Sequence, residues 1–186
     1  MFSYKLLRGY PTAFMLPVVL TGLLLAAPAQ AAHPPSHPPF SVNDLTDAVD
    51  ATPGDGKCEA FVGGNAVCTL RAAVQEANAL MTAATPPNIT IALPVGTFTL
   101  TGPGNEDNAA SGDLDILGTC PSVSIATPCL TITGNNNADT FIEGNNTDRI
   151  FHIIGRNTIK ITGITLRNGR AVGADGGAIK NTNGWL

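Results

Sequence analysis

The chain has few aromatic residues, 5% of its 186 positions, and little positive charge, with ten Lys and Arg against fourteen Asp and Glu. Both tyrosines, Tyr4 and Tyr10, lie in the first ten residues, and the single Trp is Trp185. Carbohydrate-binding faces commonly rest on exposed aromatic platforms, and there is little material for one here. The absence of a basic patch argues against nucleic acid and anionic membrane as partners, because both are held by clustered Lys and Arg. Beyond Ala27 there is no long apolar run, which excludes a later membrane-spanning helix.

The first thirty residues account for the one apolar run. Lys5 and Arg8 precede Phe14–Ala27, and the run closes on small residues ending in Ala29-Gln30-Ala31. This is the three-part pattern of a secretory signal. This run of 14 residues, interrupted only by Pro17, Thr21 and Gly22, spans about 21 Å as a helix, short of the roughly 30 Å needed to anchor a chain. Cleavage after Ala31 leaves eight basic against fourteen acidic side chains, a formal charge of −6. The expected location is extracellular or in the cell envelope, with no membrane span once the signal is removed. His33-Pro34-Pro35-Ser36-His37-Pro38-Pro39 follows as a stiff leader over residues 32–40. His33 and His37 stand four apart, but the prolines deny them the helix that a metal pair at that spacing needs.

Four cysteines form two close pairs, Cys58/Cys68 and Cys120/Cys129. An even count in an exported chain favours disulfides, and neither pair has zinc-type spacing. Three connectivities are open to sequence alone. Pairing within each close pair is expected, because each brackets a Gly- or Pro-containing loop.

One segment has helical period. Leu70, Ala73, Val74, Ala77 and Leu80 make one apolar stripe, with Thr69 as N-cap and Thr85-Pro86-Pro87 as the stop. From residue 88 the pattern changes to short alternating runs separated by Gly, Asn, Asp and Pro. An apolar-x-apolar-x-Gly motif recurs, starting at Phe98, Leu114, Leu130, Phe151 and Ile159, at intervals of 16, 16, 21 and 8 residues. Such short strands suit coils that stack their apolar residues on one another, and the alternative is a β-sandwich with irregular loops. Asn135–Asn137 and Asn145–Asn146 suit turns with left-handed backbone, where stacked Asn side chains would form ladders.

Cys68-Thr69-Leu70-Arg71-Ala72-Ala73-Val74-Gln75-Glu76-Ala77-Asn78 resembles the signature of the CSLREA domain. That domain stands near the N-terminus of exported bacterial proteins with right-handed parallel β-helices. Pro53–Cys58, Leu93–Leu100, Gly163–Gly169 and Gly176–Asn181 are similar to the same proteins, so the resemblance covers residues 40 to 182. Ala72 departs from it, since Glu is usual there and would close a capping box on Thr69. The resemblance implies an all-β, right-handed parallel β-helix of the pectin lyase-like fold over residues 88–186. Ahead of it, residues 41–87 would form a disulfide-stapled helical cap shielding the first open edge, with Thr69, Leu70, Arg71, Val74, Ala77 and Asn78 on the cap helix. Another coil is expected after Asn181, so the helix reads as truncated, and its open C-terminal coil is expected to self-associate.

The family brings no catalytic residue, and the sequence supplies none. Asp113 and Asp115 could be a glycosidase pair, but alternation with Leu114 and Ile116 puts them on the solvent side. Asn146-Thr147-Asp148 matches one polygalacturonase element without the others, and Arg167 and Arg170 have no acidic cluster beside them. His152 reads as a strand residue facing solvent. Asp44, Asp47, Asp50 and Asp55 precede the first cysteine, and Gly54-Asp55-Gly56 supplies a turn. Asp47, Asp50 and Asp55 are therefore candidate calcium ligands, against the plainer reading of a solvated acidic turn. No other cofactor is expected. The expected function is non-catalytic adhesion or display, with a surface polysaccharide or another protein as partner. The alternative is part of a carbohydrate-active β-helix enzyme, a polysaccharide lyase or hydrolase with its site in missing coils.

Overall fold

The computed structural model describes residues 36–104, 106–120 and 127–186. The expected signal, its cleavage site and the leader as far as Pro35 lie outside the described residues. Twelve strands and one helix follow in chain order. They are β1 (Phe40–Ser41), β2 (Ala60–Val62), β3 (Asn65–Val67), α1 (Leu70–Leu80), β4 (Ile89–Leu93), β5 (Gly96–Thr99) and β6 (Leu114–Ile116). Then come β7 (Leu130–Gly134), β8 (Thr140–Glu143), β9 (Phe151–Ile153), β10 (Ile159–Thr162), β11 (Thr165–Arg167) and β12 (Ile179–Asn181).

Ten of the strands lie in three parallel sheets, ordered β1-β4-β7-β10, β11-β8-β5 and β12-β9-β6. From β4 onward the chain visits the three sheets in turn, so neighbours in a sheet are three strands apart in sequence. Alternation sends one set of side chains inward. Ile91 and Ile132 from the first sheet, Phe98 and Ile142 from the second, and Ile116 and Ile153 from the third meet in one buried cluster. Pairing is in register, Ile91 against Ile132 and Ile132 against Ile161, so like residues stack on like. Among the described residues the protein is all-β apart from α1.

The recurring glycines have a steric cause. A Cβ on Gly134 would stand 2.1 Å from the carbonyl oxygen of Gly163, and one on Gly155 would stand 2.2 Å from that of Gly118. These four close the apolar-x-apolar-x-Gly motif, and they face each other where backbones approach too closely for any side chain. Asn145 and Asn146 take left-handed backbone, with φ of 53° and 55°. Asn135–Asn137 do not. There Asn136 accepts the Ala138 and Asp139 amides through its side chain, and Asn168 bonds Glu143 instead of joining an Asn ladder.

Part of the leader belongs to the fold. Ser36 bridges Asn88, the His37 amide donates to Asn88 O at 2.9 Å, and β1 pairs with β4. Pro38 and Pro39 lead into this edge strand, where a missing donor is tolerated. The Cys58/Cys68 loop is a β2–β3 hairpin turning on Gly63 and Gly64, both at positive φ, as a two-residue hairpin turn demands. Disulfides join Cys58 to Cys68 and Cys120 to Cys129. Among the described residues no helix is long and apolar enough to cross a membrane. With the disulfides, this is compatible with an exported protein.

Candidate functional site

Two groups of polar side chains are buried on this fold, one around α1 and one on the outer face of the β6-β9-β12 sheet. Thr69 caps α1, its hydroxyl accepting the Ala72 amide at 3.1 Å. Leu70, Val74 and Ala77 enter the core, and α1 packs on β4 and β6. The helix is covered well beyond its apolar stripe, because Arg71, Glu76 and Asn78 are buried too.

Each of these polar residues satisfies free backbone groups. Arg71, 1% exposed, places Nε on Asp47 Oδ1 at 2.6 Å and Nη2 on Asp47 Oδ2 at 3.0 Å. Its remaining N–H groups donate to the carbonyls of Ala109, Asp113 and Gly112. All five guanidinium donors therefore have acceptors. Asn78 stands beside β6 as a neighbouring strand would, donating to Asp115 O at 2.7 Å and accepting the Leu117 amide at 2.9 Å. Gln75 accepts the Asp50 amide and donates to Ala109 O. Glu76 accepts the amides of Gly54 and Gly56, which closes the Gly54–Gly56 turn over the helix.

The candidate calcium ligands accept hydrogen bonds within the fold. Asp47 is Arg71's partner and also accepts the Thr101 amide and hydroxyl. Asp50 takes the amides of Thr52 and Glu59, and Asp55 that of Lys57. Their oxygens do not converge. Among the described residues the convergent set is instead Asp107, Asp115 and His152, whose ligand atoms all lie within 4.8 Å of one another.

This set lies on an outward-facing row. Register stacks Asp115 on His152 and His152 on Lys180 across the third sheet. Alternation was expected to leave Asp113, Asp115 and His152 in solvent. They are buried, at 2%, 0% and 7% exposed, because the segment after β5 folds over the strand face. The Ala109 amide on that segment donates to Asp115 Oδ2 at 2.8 Å. A polar hollow of about 300 Å³ remains, lined by Glu106, Asp107, Asp113, Asp148, Arg149, His152 and Lys180.

Burial dominates its electrostatics. It raises the Asp113 carboxyl to about 6, with Asp148 and Glu106 adding to the effect and Arg149 opposing it. It raises Asp115 to about 7 against the Ala109 hydrogen bond, helped by Asp113, Glu106 and Asp107. Burial and then Lys180 hold His152 below its ordinary value, against the pull of Asp107. Such a set can hold a proton or a cation near neutral pH. No sequence period announces it, because Asp107 lies 45 residues from His152 and reaches it only through the covering segment. Comparison of the chain with family models, curated proteins and solved structures finds no match.

Proposed function

We propose that this chain is the capped beginning of a right-handed parallel β-helix in an exported, non-catalytic protein that serves adhesion or display at the cell surface. One observation carries the reading. The side chain of Asn78 occupies backbone groups along β6, at the edge of the β6-β9-β12 sheet where another parallel strand would otherwise bind, and Arg71 holds the carbonyls of the segment that leads into β6. A protein that blocks the edge of one sheet while its strands step by threes behaves as a stacked repeat with an end cap. Right-handedness follows from the general hand of parallel crossovers. The resemblance of Cys68–Asn78 to the CSLREA signature and the two disulfides support the same reading.

Expression of the full chain in a bacterial host tests it. The expected product begins near Ala32, is fully oxidised, and appears in the envelope or medium. It should be retained by a cell-surface polysaccharide or protein without cleaving it. Release of new reducing ends or unsaturated uronates would overturn the non-catalytic reading. The enzyme alternative has its own support, since Asp113 and Asp115 are carboxyls held near neutrality and Asp113 lines the polar hollow with Arg149 and Lys180. Polysaccharide cleavage abolished by Asp113→Asn would establish it.

A further inference from the structure

We infer that Asp107, Asp115 and His152 form a binding site for one divalent transition-metal ion of the zinc class. The geometry is that of a ligand set. His152 Nδ1 lies 3.1 Å from Asp107 Oδ1 and 3.4 Å from Asp115 Oδ1. Two donors about 2.0–2.1 Å from a tetrahedral ion stand roughly 3.4 Å apart, so these separations match edges of a zinc coordination shell.

Asp115 points to the same ion. Its side chain is fully buried, yet Oδ1 accepts no hydrogen bond. His152 Nδ1 lies within reach of both carboxylates and donates to them only when it carries the ring proton. A buried carboxylate oxygen without a donor is costly, and a cation at this position removes that cost. The far side of the ring is already fixed, because His152 Nε2 lies 3.2 Å from Thr182 Oγ1. A donated Nε2–H there leaves the Nδ1 lone pair facing both carboxylates, the outer-shell arrangement of metal-bound histidine. One imidazole nitrogen with two carboxylate oxygens suits zinc, cobalt or nickel, whereas calcium and magnesium prefer oxygen alone. The site is independent of the adhesion reading and would serve either a structural or an enzymatic protein.

The test uses the full exported chain, freed of metal with chelator and titrated with Zn²⁺ and Co²⁺ by calorimetry and absorption. The expected result is one ion per chain, a raised melting temperature, and visible cobalt bands of a four-coordinate site. Calcium should give none of these. His152→Ala and Asp115→Asn should abolish binding, and Thr182→Val should weaken it about 10–100-fold. His33→Ala/His37→Ala should leave it unchanged. Absence of zinc and cobalt binding at micromolar concentration would overturn the site, as would binding that follows His33 and His37 instead of His152. Should the pocket variants fail to fold, X-ray absorption of the zinc-loaded wild-type chain decides. One imidazole with oxygen ligands sustains the site, and a shell without imidazole sinks it.

Discussion

Arg71 is a cation with almost no solvent. Its positive charge meets Asp47 in a two-point contact, and the rest of the guanidinium is consumed by three carbonyls of the 109–113 segment. Removing one partner of such a pair strands the other, so Arg71→Met should destabilise by about 3–5 kcal/mol, measured by urea unfolding. Arg71→Lys should rescue little, because one ammonium cannot reproduce five forked donors. Asp113 gives a prediction in pH. Burial raises its carboxyl to about 6 from the ordinary 3.8, so folding favours the protonated form. Its contribution is fully present below pH 3.8 and is lost as pH rises through about 6. In chelator, Asp113→Asn should therefore gain on the wild type in urea midpoint as pH passes 6, with little difference at pH 4. Glu106, Asp148 and Arg149 face the same group, and His152 contributes the opposite slope, losing stability on acidification.

At the scale of elements, α1 was readable in its apolar period and its cap, and not in its polar residues. Leu70, Val74 and Ala77 repeat locally, so a window of twelve residues reveals them. Arg71, Gln75 and Asn78 answer to partners 24 to 42 residues away, and no local pattern records such partners. The short strands were readable for the same reason as the stripe. The burial of Asp113, Asp115 and His152 was not, because alternation gives the face of a strand and not what lies over it. Val74→Asp puts an unpaired charge in the core and should cost soluble protein, while Ala84→Asp, on the exposed segment after α1, should be tolerated. Gln75→Asp should also destabilise, since the shorter side chain cannot hold Asp50 and Ala109 together. Equal yields of the Val74 and Ala84 variants would mean that α1 is undocked. Peptide mapping of the unreduced protein should recover Cys58 with Cys68 and Cys120 with Cys129, and a crossed peptide would contradict both loops.

In the whole molecule the two ends of the sheets are unlike. On the α1 side, the side chain of Asn78 occupies the edge of β6. On the far side β10, β11 and β12 are the last strands of their sheets, around an apolar hollow of about 470 Å³ lined by Ile161, Ile164, Leu166 and Ile179. Trp185 covers part of this edge, its carbonyl accepting the Ile159 amide and its amide donating to Asn157 O. The edges of β11 and β12 have no such neighbour among the described strands. A second copy of the chain would fit these edges, because unpaired parallel edges beside half-buried apolar side chains recruit strands. Light scattering should show mass rising with concentration, and Leu166→Lys should return the protein to monomer. A wild-type chain that stays monomeric at high concentration would refute this.

The in-register glycine contacts limit how this protein can change length. Within a strand, one inserted residue would turn Ile132 outward and carry Gly134 away from Gly163, exposing an apolar row and driving a side chain into a carbonyl. Between strands no such count is kept, as the segment joining β5 to β6 is several times longer than the one joining β4 to β5. Growth by insertion is thus confined to the connections, and lengthening the stack requires adding a complete circuit of three strands at once. Relatives of this chain should differ by loops of any size or by whole circuits, and not by single residues inside a strand.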